Sequence, residues 1–283
     1  MRNIILTTES GADLSESLIK HYPIRVVPMH VIMDDIDYKD GHFPVTDIFD
    51  YYDKTKKIPS TTSTNPNEYE ALFSEIRQEH PDATIVHIGY TSKASSSFQN
   101  ALIAGEEFEN IHFIDALNVT AGLGAVVLYA AKLLEEKPDI SLEDFITAIE
   151  QTVAKTRLSF LPGQLEYLRA GGRVSNAQYL GAQLLKIKPL IELVDGKLVS
   201  TKKYRGKMLR AVNDLLDDYF TRYQLDNSQL YLIYSIGLDD SIKEAVEASL
   251  IARGFPHFDW VQAGCVISCH CGPAAFGIAG IEK

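Results

Sequence analysis

The sequence predicts an α/β protein of two domains, the first built on a mainly parallel sheet with helices on its faces, the second of mixed α+β order. Three observations carry this. Short aliphatic runs, each followed by a loop of small polar residues and a helical pattern, recur at "NIILTT" (3–8), "ATIVHIGY" (83–90) and "IHFIDA" (111–116), which is βα repetition. After about residue 155 that rhythm stops. With 283 residues, 46% of them apolar, the chain can bury a large core, and its length favours two domains of about 100–200 residues. The break at "RLSFLPG" sets the boundary near 155–163, giving domains 1–158 and 159–283.

In chain order, Asp13 is expected to open a helix over "LSESLIKHY", and "IRVVPMHVIMDDIDYKDGHF" (24–43) reads as a hairpin-like excursion turning at Asp40-Gly41. "NPNEYEALFSEIRQE" carries a full helix start, with Asn65 as N-cap, Pro66 first in the helix and Glu68 at the capping-box position. "AGLGAVV" (121–127) lacks the third glycine of a dinucleotide fingerprint and reads as close helix packing. In the second half "PGQLEYLRAGG" is a helix stopped by Gly171-Gly172, and Asp195-Gly196 joins two strands of "PLIELVDGKLVSTKKY". A helix over "GKMLRAVNDLLDDYFTRY", a strand "SQLYLIYSIG", a helix closed by Gly254 and one or two closing strands in "DWVQAGCVISCHC" complete the chain.

Several function classes lose support. Residues 1–10 hold no secretory apolar region, and the run "AGLGAVVLYAA" (121–131) is far short of the ~20 residues a bilayer span needs, so a cytoplasmic protein without a transmembrane segment is expected. A net charge of −11 argues against polyanion binding by the whole chain. There is no G-x-S-x-G elbow and no Walker loop, and Glu9, Asp13 and Asp115 show no spacing of a metal or acid–base pair. No cofactor and no metal are called for.

All three cysteines, Cys265, Cys269 and Cys271, flank His270 near the C-terminus. Read as a strand, 264–271 puts the cysteines on one face with Ile267 and His270 on the other, and no second cluster completes four zinc ligands. The cysteines then serve as small buried apolar residues. His270 is left near a strand exit, either a hydrogen-bonded structural group or a functional one. Three hydroxyl-rich loops, "TTESGAD" (7–13), "PSTTSTNP" (59–66) and "YTSKASSS" (90–97), lie where helices begin, as ordinary caps or as anion-binding loops meeting at one crevice. Residues 169–210 carry ten Lys and Arg against Glu192 and Asp195, a local +8 that leaves −19 on the rest. That segment is a solvated basic face or a docking surface for an acidic protein or phosphorylated ligand; it holds no nucleic-acid recognition module.

Six blocks, in order over the whole chain, resemble the DegV family: "STTSTNPNEY" (60–69), "YTSKASSSFQNA" (90–101), "IDALNVTAGLG" (114–124), "LEYLRAGGRVS" (165–175), "IKPLIELVDGKL" (187–198) and "CHCGPAAFG" (269–277). The resemblance implies a bacterial two-domain fold, three-layer α/β/α then two-layer α/β with a mixed sheet. It also implies a non-catalytic subunit of a fatty acid kinase that binds a long-chain fatty acid between its domains. The carrier would present the carboxylate to a separate ATP-dependent kinase subunit, and the acyl phosphate would pass to phospholipid synthesis. By resemblance Thr61, Thr62, Ser92 and His270 hold the carboxylate, while Arg169 and Arg173, joined by Arg205, dock the kinase or stabilise the acyl phosphate. The chain departs from the family at Glu9 in "TES" for "TDS", at "TSKASSS" (91–97) for "SSGLSGT", at "GPAAFG" (272–277) for "GPGALG", and at Ala116 for serine. Lys93 is expected either to add a charge beside Ser92 or to restrict its loop. The alternatives are a hydrolase of small esters or phosphoesters, using His270 and a loop hydroxyl, and a lipid-responsive regulator docking through the basic segment.

Overall fold

The computed structural model describes residues 4–174 and 187–283. Its elements are β1 (Ile4–Glu9), α1 (Glu16–His21), β2 (Ile24–Val27), β3 (His30–Met33), β4 (Ile36–Lys39), α2 (Thr46–Thr55), β5 (Ser60–Thr62), α3 (Pro66–Glu79), β6 (Thr84–Gly89), α4 (Ser97–Gly105), β7 (Ile111–Asp115), α5 (Thr120–Glu136) and α6 (Leu142–Lys155). Then follow β8 (Thr156–Leu161), α7 (Leu165–Gly171), β9 (Ile187–Val194), β10 (Lys197–Arg205), α8 (Met208–Arg222), β11 (Leu225–Tyr234), α9 (Asp240–Ala252), β12 (Phe258–Gln262), α10 (Cys265–Cys271) and β13 (Phe276–Glu282).

The three aliphatic runs form the parallel sheet that βα repetition predicts, in the order β2-β1-β6-β7. Both faces are covered: Tyr69 and Phe73 of α3 and Ala101 of α4 pack on Ile5 and Ile85 from one side, and α5 covers the other. That burial explains why these strands read as continuous aliphatic runs rather than alternating ones. The capping box at Asn65–Glu68 forms in full. Two local expectations change. The Asn-free hairpin β3–β4 turns at Asp34-Asp35, both with positive φ (48° and 62°), not at Asp40-Gly41, whose carboxylate is used elsewhere. The N-cap of α1 is Ser15, and Asp13 points inward. With β5 added, this hairpin makes a separate three-stranded leaf, β4-β3-β5.

The second half forms one mixed sheet, β10-β9-β8-β13-β11-β12, antiparallel throughout except for the β11–β12 pair. The β9–β10 hairpin turns at Asp195-Gly196 as expected, both in the left-handed region. Helices α8 and α9 cover one face through Leu215, Leu216 and Val246. The other face meets α5, which is buried on nearly every side; a Cβ on its Gly124 would lie 2.7 Å from the Ala12 carbonyl oxygen.

One expectation is overturned with consequences for the site. Residues 265–271 are a helix, α10, and not a strand. A short, wholly buried apolar run has no periodicity to tell the two apart, so long-range partners decide. They are two buried carboxylates: Asp40 accepts from the backbone N–H of Cys265 (3.0 Å) and Val266 (3.4 Å), and Asp13 from Gly264 (3.0 Å). These satisfy helix-start donors that would otherwise be orphaned. The cysteines are buried and free, so the apolar reading of them stands on a helix instead of a strand face.

Candidate functional site

A cavity lies between the β3–β5 leaf, α10 and the mixed sheet. Its interior is apolar, formed by Val119, Phe160, Ile233, Val266, Ile267 and Phe276. Its rim is polar: Thr61, Thr62 and Ser63 from β5 and its exit, Ser95 from the loop before α4, Arg173 after α7, and His270 of α10. No carboxylate lines it among the described residues.

Sheet and helix geometry bring the rim together. Pairing of β5 with β3 sets Thr61 opposite Val31 and Thr62 opposite His30, while α10 packs against β5 and α7. His270 and Thr61, 209 positions apart in sequence, meet with the imidazole Nε2 2.8 Å from Oγ1. The other ring nitrogen, Nδ1, is buried and has no hydrogen-bond partner among the described residues. Burial, with the nearby Arg173 charge adding to it, pushes the imidazole down to about 4, so the ring is neutral at physiological pH. Arg173 is exposed at the mouth and donates from Nη1 to the Gly171 carbonyl at 2.7 Å.

Not every expected residue joins this site. Ser92 is exposed; its backbone N–H donates to Asp115 (3.2 Å), and its side chain does not line the cavity, whereas Ser95 does. The loop "TTESGAD" also turns away. Thr7 bonds His87, Thr8 donates to the Ile88 carbonyl, and Ser10 donates to Asp40, so its hydroxyls are consumed by partners away from the cavity. Lys93 is exposed, with its Cγ over Gly196 at the tip of the β9–β10 hairpin, and adds no charge to the cavity. Arg169 and Arg205 are exposed and outside the cavity lining, while Arg173 belongs to the rim. Ser175 and Lys186 lie outside the described residues. The rim position of Arg173 was hidden from sequence because α7 and α10 meet only in three dimensions; Ser95 was visible in its loop but not separable from Ser92.

The cysteines are held protonated: burial, the largest influence in each case, pushes Cys265 and Cys271 up to about 12 and Cys269 well above the usual thiol range. They offer no thiolate for metal or nucleophilic chemistry. Burial, with the Asp40 charge adding to it, pushes the Asp13 carboxyl up to about 8 against the hydrogen bonds from Thr120 and Gly264.

Comparison with known proteins assigns this architecture. The family model described as an uncharacterised protein of the DegV family matches residues 3–283. The chain belongs to the DegV family. A DegV domain-containing protein of Caldanaerobacter subterraneus is 32% identical over 290 residues, covering 100% of both chains. The fatty-acid-binding DegV family protein of Thermus thermophilus has the same fold, with a TM-score of 0.88 at 26% identity over 100% of both chains. The stearic-acid-binding protein of Eubacterium ventriosum shares that fold at 21% identity and a TM-score of 0.80, over 100% of this chain and 99% of that one. Against the DegV pattern, the departure at Ala274 has a visible cost. Its φ is 62°, a left-handed conformation that glycine adopts freely and alanine at about 1 kcal/mol. Ala116 is fully buried. Among the described residues no helix is long and apolar enough to cross a membrane.

Proposed function

We propose that this protein binds one long-chain fatty acid, with the acyl chain in the apolar cavity and the carboxylate at its rim. The observation that carries the reading is the composition of that rim: hydroxyls of Thr61 and Thr62, the His270 imidazole and the Arg173 guanidinium, with no carboxylate among the described lining residues. Such a set donates to an anion and supplies the cation it needs. Burial of the chain contributes about 0.8 kcal/mol per CH₂, so affinity comes from the tail and orientation from the head. The fatty acid bound by the Thermus thermophilus relative supports the same ligand class here. Ser95 takes the place that resemblance gave to Ser92.

In this reading the protein is a non-catalytic, cytoplasmic carrier that presents the carboxylate to a separate ATP-dependent kinase subunit, and the acyl phosphate feeds phospholipid synthesis. Arg169 and Arg205, exposed in the basic segment 169–210, fit docking of that subunit; Arg173 faces both ligand and partner. The hydrolase alternative, built on His270 and a loop hydroxyl, is disfavoured by what surrounds the ring. Thr61 and His270 are within hydrogen-bond reach, but no carboxylate orients Nδ1 among the described residues, and a ring that protonates near 4 is a weak base at neutral pH.

Native mass spectrometry of freshly purified protein, followed by extraction and identification of the ligand, tests the reading. A fatty acid at near one-to-one occupancy is expected. An empty protein that also takes up no palmitate or oleate would overturn it.

A further inference from the structure

Gly171, the last residue of α7, is buried directly against the His270 ring. A Cβ placed there would lie 2.1 Å from Nδ1, 3.1 Å from Cε1 and 3.2 Å from Cγ, so no side chain fits while the imidazole keeps its seat. The left-handed residue that ends the helix is the next one, Gly172, so the backbone of Gly171 itself makes no demand for glycine. Helix propensity favours alanine by about 1 kcal/mol at a helical position. The absence of a side chain is therefore explained by the neighbour and not by the chain's own conformation. The same residue's carbonyl accepts the 2.7 Å hydrogen bond from Arg173 Nη1. One backbone position thus touches both of the nitrogen-bearing groups on the cavity rim.

We propose that Gly171 is a positioning residue: its bare Cα seats the His270 imidazole against Thr61, and its carbonyl holds the Arg173 guanidinium beside it. The proposal rests on the carboxylate-head reading given above and deepens it, because it makes the register of α7 a determinant of head-group binding. It also links the ligand site to the exposed cation at the mouth through two contacts.

Gly171→Ala in the full chain tests it, with two readouts. Affinity for oleate should fall about 10-fold or more, the scale of losing a hydrogen bond to a charged group. In a His270→Ala background the same change should cost nothing further. Independently of any ligand, the His270 ring resonances, assigned by comparison with His270→Ala, should shift, and their titration midpoint should rise from about 4 toward the ordinary value of 6.5. Ring resonances and midpoint unchanged in Gly171→Ala would overturn the proposal, as would an equal loss of oleate affinity in the His270→Ala background. If Gly171→Ala alone fails to fold, the double variant decides: recovery of the His270→Ala melting temperature supports the contact, and failure of both overturns it. Should the wild-type protein bind no fatty acid, the ligand reading fails while the ring titration still judges the positioning role.

Discussion

Two threonine–histidine pairs sit in this molecule, one in the parallel sheet and one at the cavity, and they do different things. In the parallel sheet, Thr7 Oγ1 lies 2.9 Å from His87 Nδ1, and the ring's Nε2 is 3.4 Å from Glu9, with His87 and Glu9 both fully buried. Glu9 also accepts from Tyr69 Oη (2.7 Å) and the Tyr90 backbone N–H (2.8 Å). Burial pushes its carboxyl up, yet the neighbouring His87 and the hydrogen bonds from Tyr69 and Tyr90 outweigh that and hold it below the usual range. At the cavity, Thr61 Oγ1 lies 2.8 Å from His270 Nε2, but the charged neighbour is Arg173. The first pair contains its own anion. The second has the same hydroxyl and imidazole with a cation added and the anion missing among the described lining residues, and in the proposed reading a ligand carboxylate completes it as Glu9 completes the other. Burial with an internal counter-charge makes a structural joint; the same atoms opened to a cavity are what the proposed receptor uses.

The largest effect that would break this contrast is on the closed pair. His87→Ala strips a partner from a fully buried carboxylate and should cost about 3–5 kcal/mol in chemical denaturation. His270→Ala should leave the denaturation midpoint nearly unchanged and weaken oleate binding by about 10- to 100-fold in calorimetry, as losing a hydrogen bond to a charged group does; a large stability loss there would erase the distinction. A smaller effect concerns pH. The Asp13 carboxyl titrates near 8 when folded and near 3.8 otherwise, so the folded state holds the extra proton between those values and stability falls as pH rises through that window. His270, lowered from 6.5 to about 4, acts oppositely, its contribution being present above 6.5 and lost as pH falls toward 4. Asp13→Asn should therefore remove that downward slope of melting temperature across the window from 3.8 to about 8 and leave the response above pH 8 untouched. The smallest expected change in ligand affinity, within about 2-fold, belongs to Arg169→Glu, which lies outside the cavity lining; phosphorylation of bound fatty acid by the proposed kinase subunit should nonetheless drop, and unaltered turnover would remove Arg169 from docking.

Much of the fold was legible because local chemistry and tertiary structure agree. The aliphatic runs at 3–8, 83–90 and 111–116, the capping box at Asn65–Glu68 and the Asp195-Gly196 turn each need only their neighbours in sequence. Residues 264–271 were illegible for the opposite reason. Their helix is held by Asp13 and Asp40, more than 220 positions away, and nothing within the run marks it as a helix. The site shows the same division. Thr61, Thr62 and His270 sit in blocks whose family resemblance is strong, and the structure brings them to one rim. Ser92 and Ser95 are alike by residue type and differ only in the direction the loop turns, while Arg173 reaches the rim because α7 packs on α10.

Helix α5 carries a consequence for how the molecule melts. It touches β1 and β6 of the parallel sheet on one side and β8, β11 and β13 of the mixed sheet on the other, and one apolar cluster runs from Leu6 and Val86 through Val126 to Ile191 and Ala279. The strands divide into two sets along the chain, but the oil between them is continuous. A fragment ending near residue 158 would carry α5 with its second face bare, a sticky apolar ridge. The intact chain should instead lose heat-stable structure in one calorimetric peak, with the two sheets giving way together like boards fixed to a shared keel.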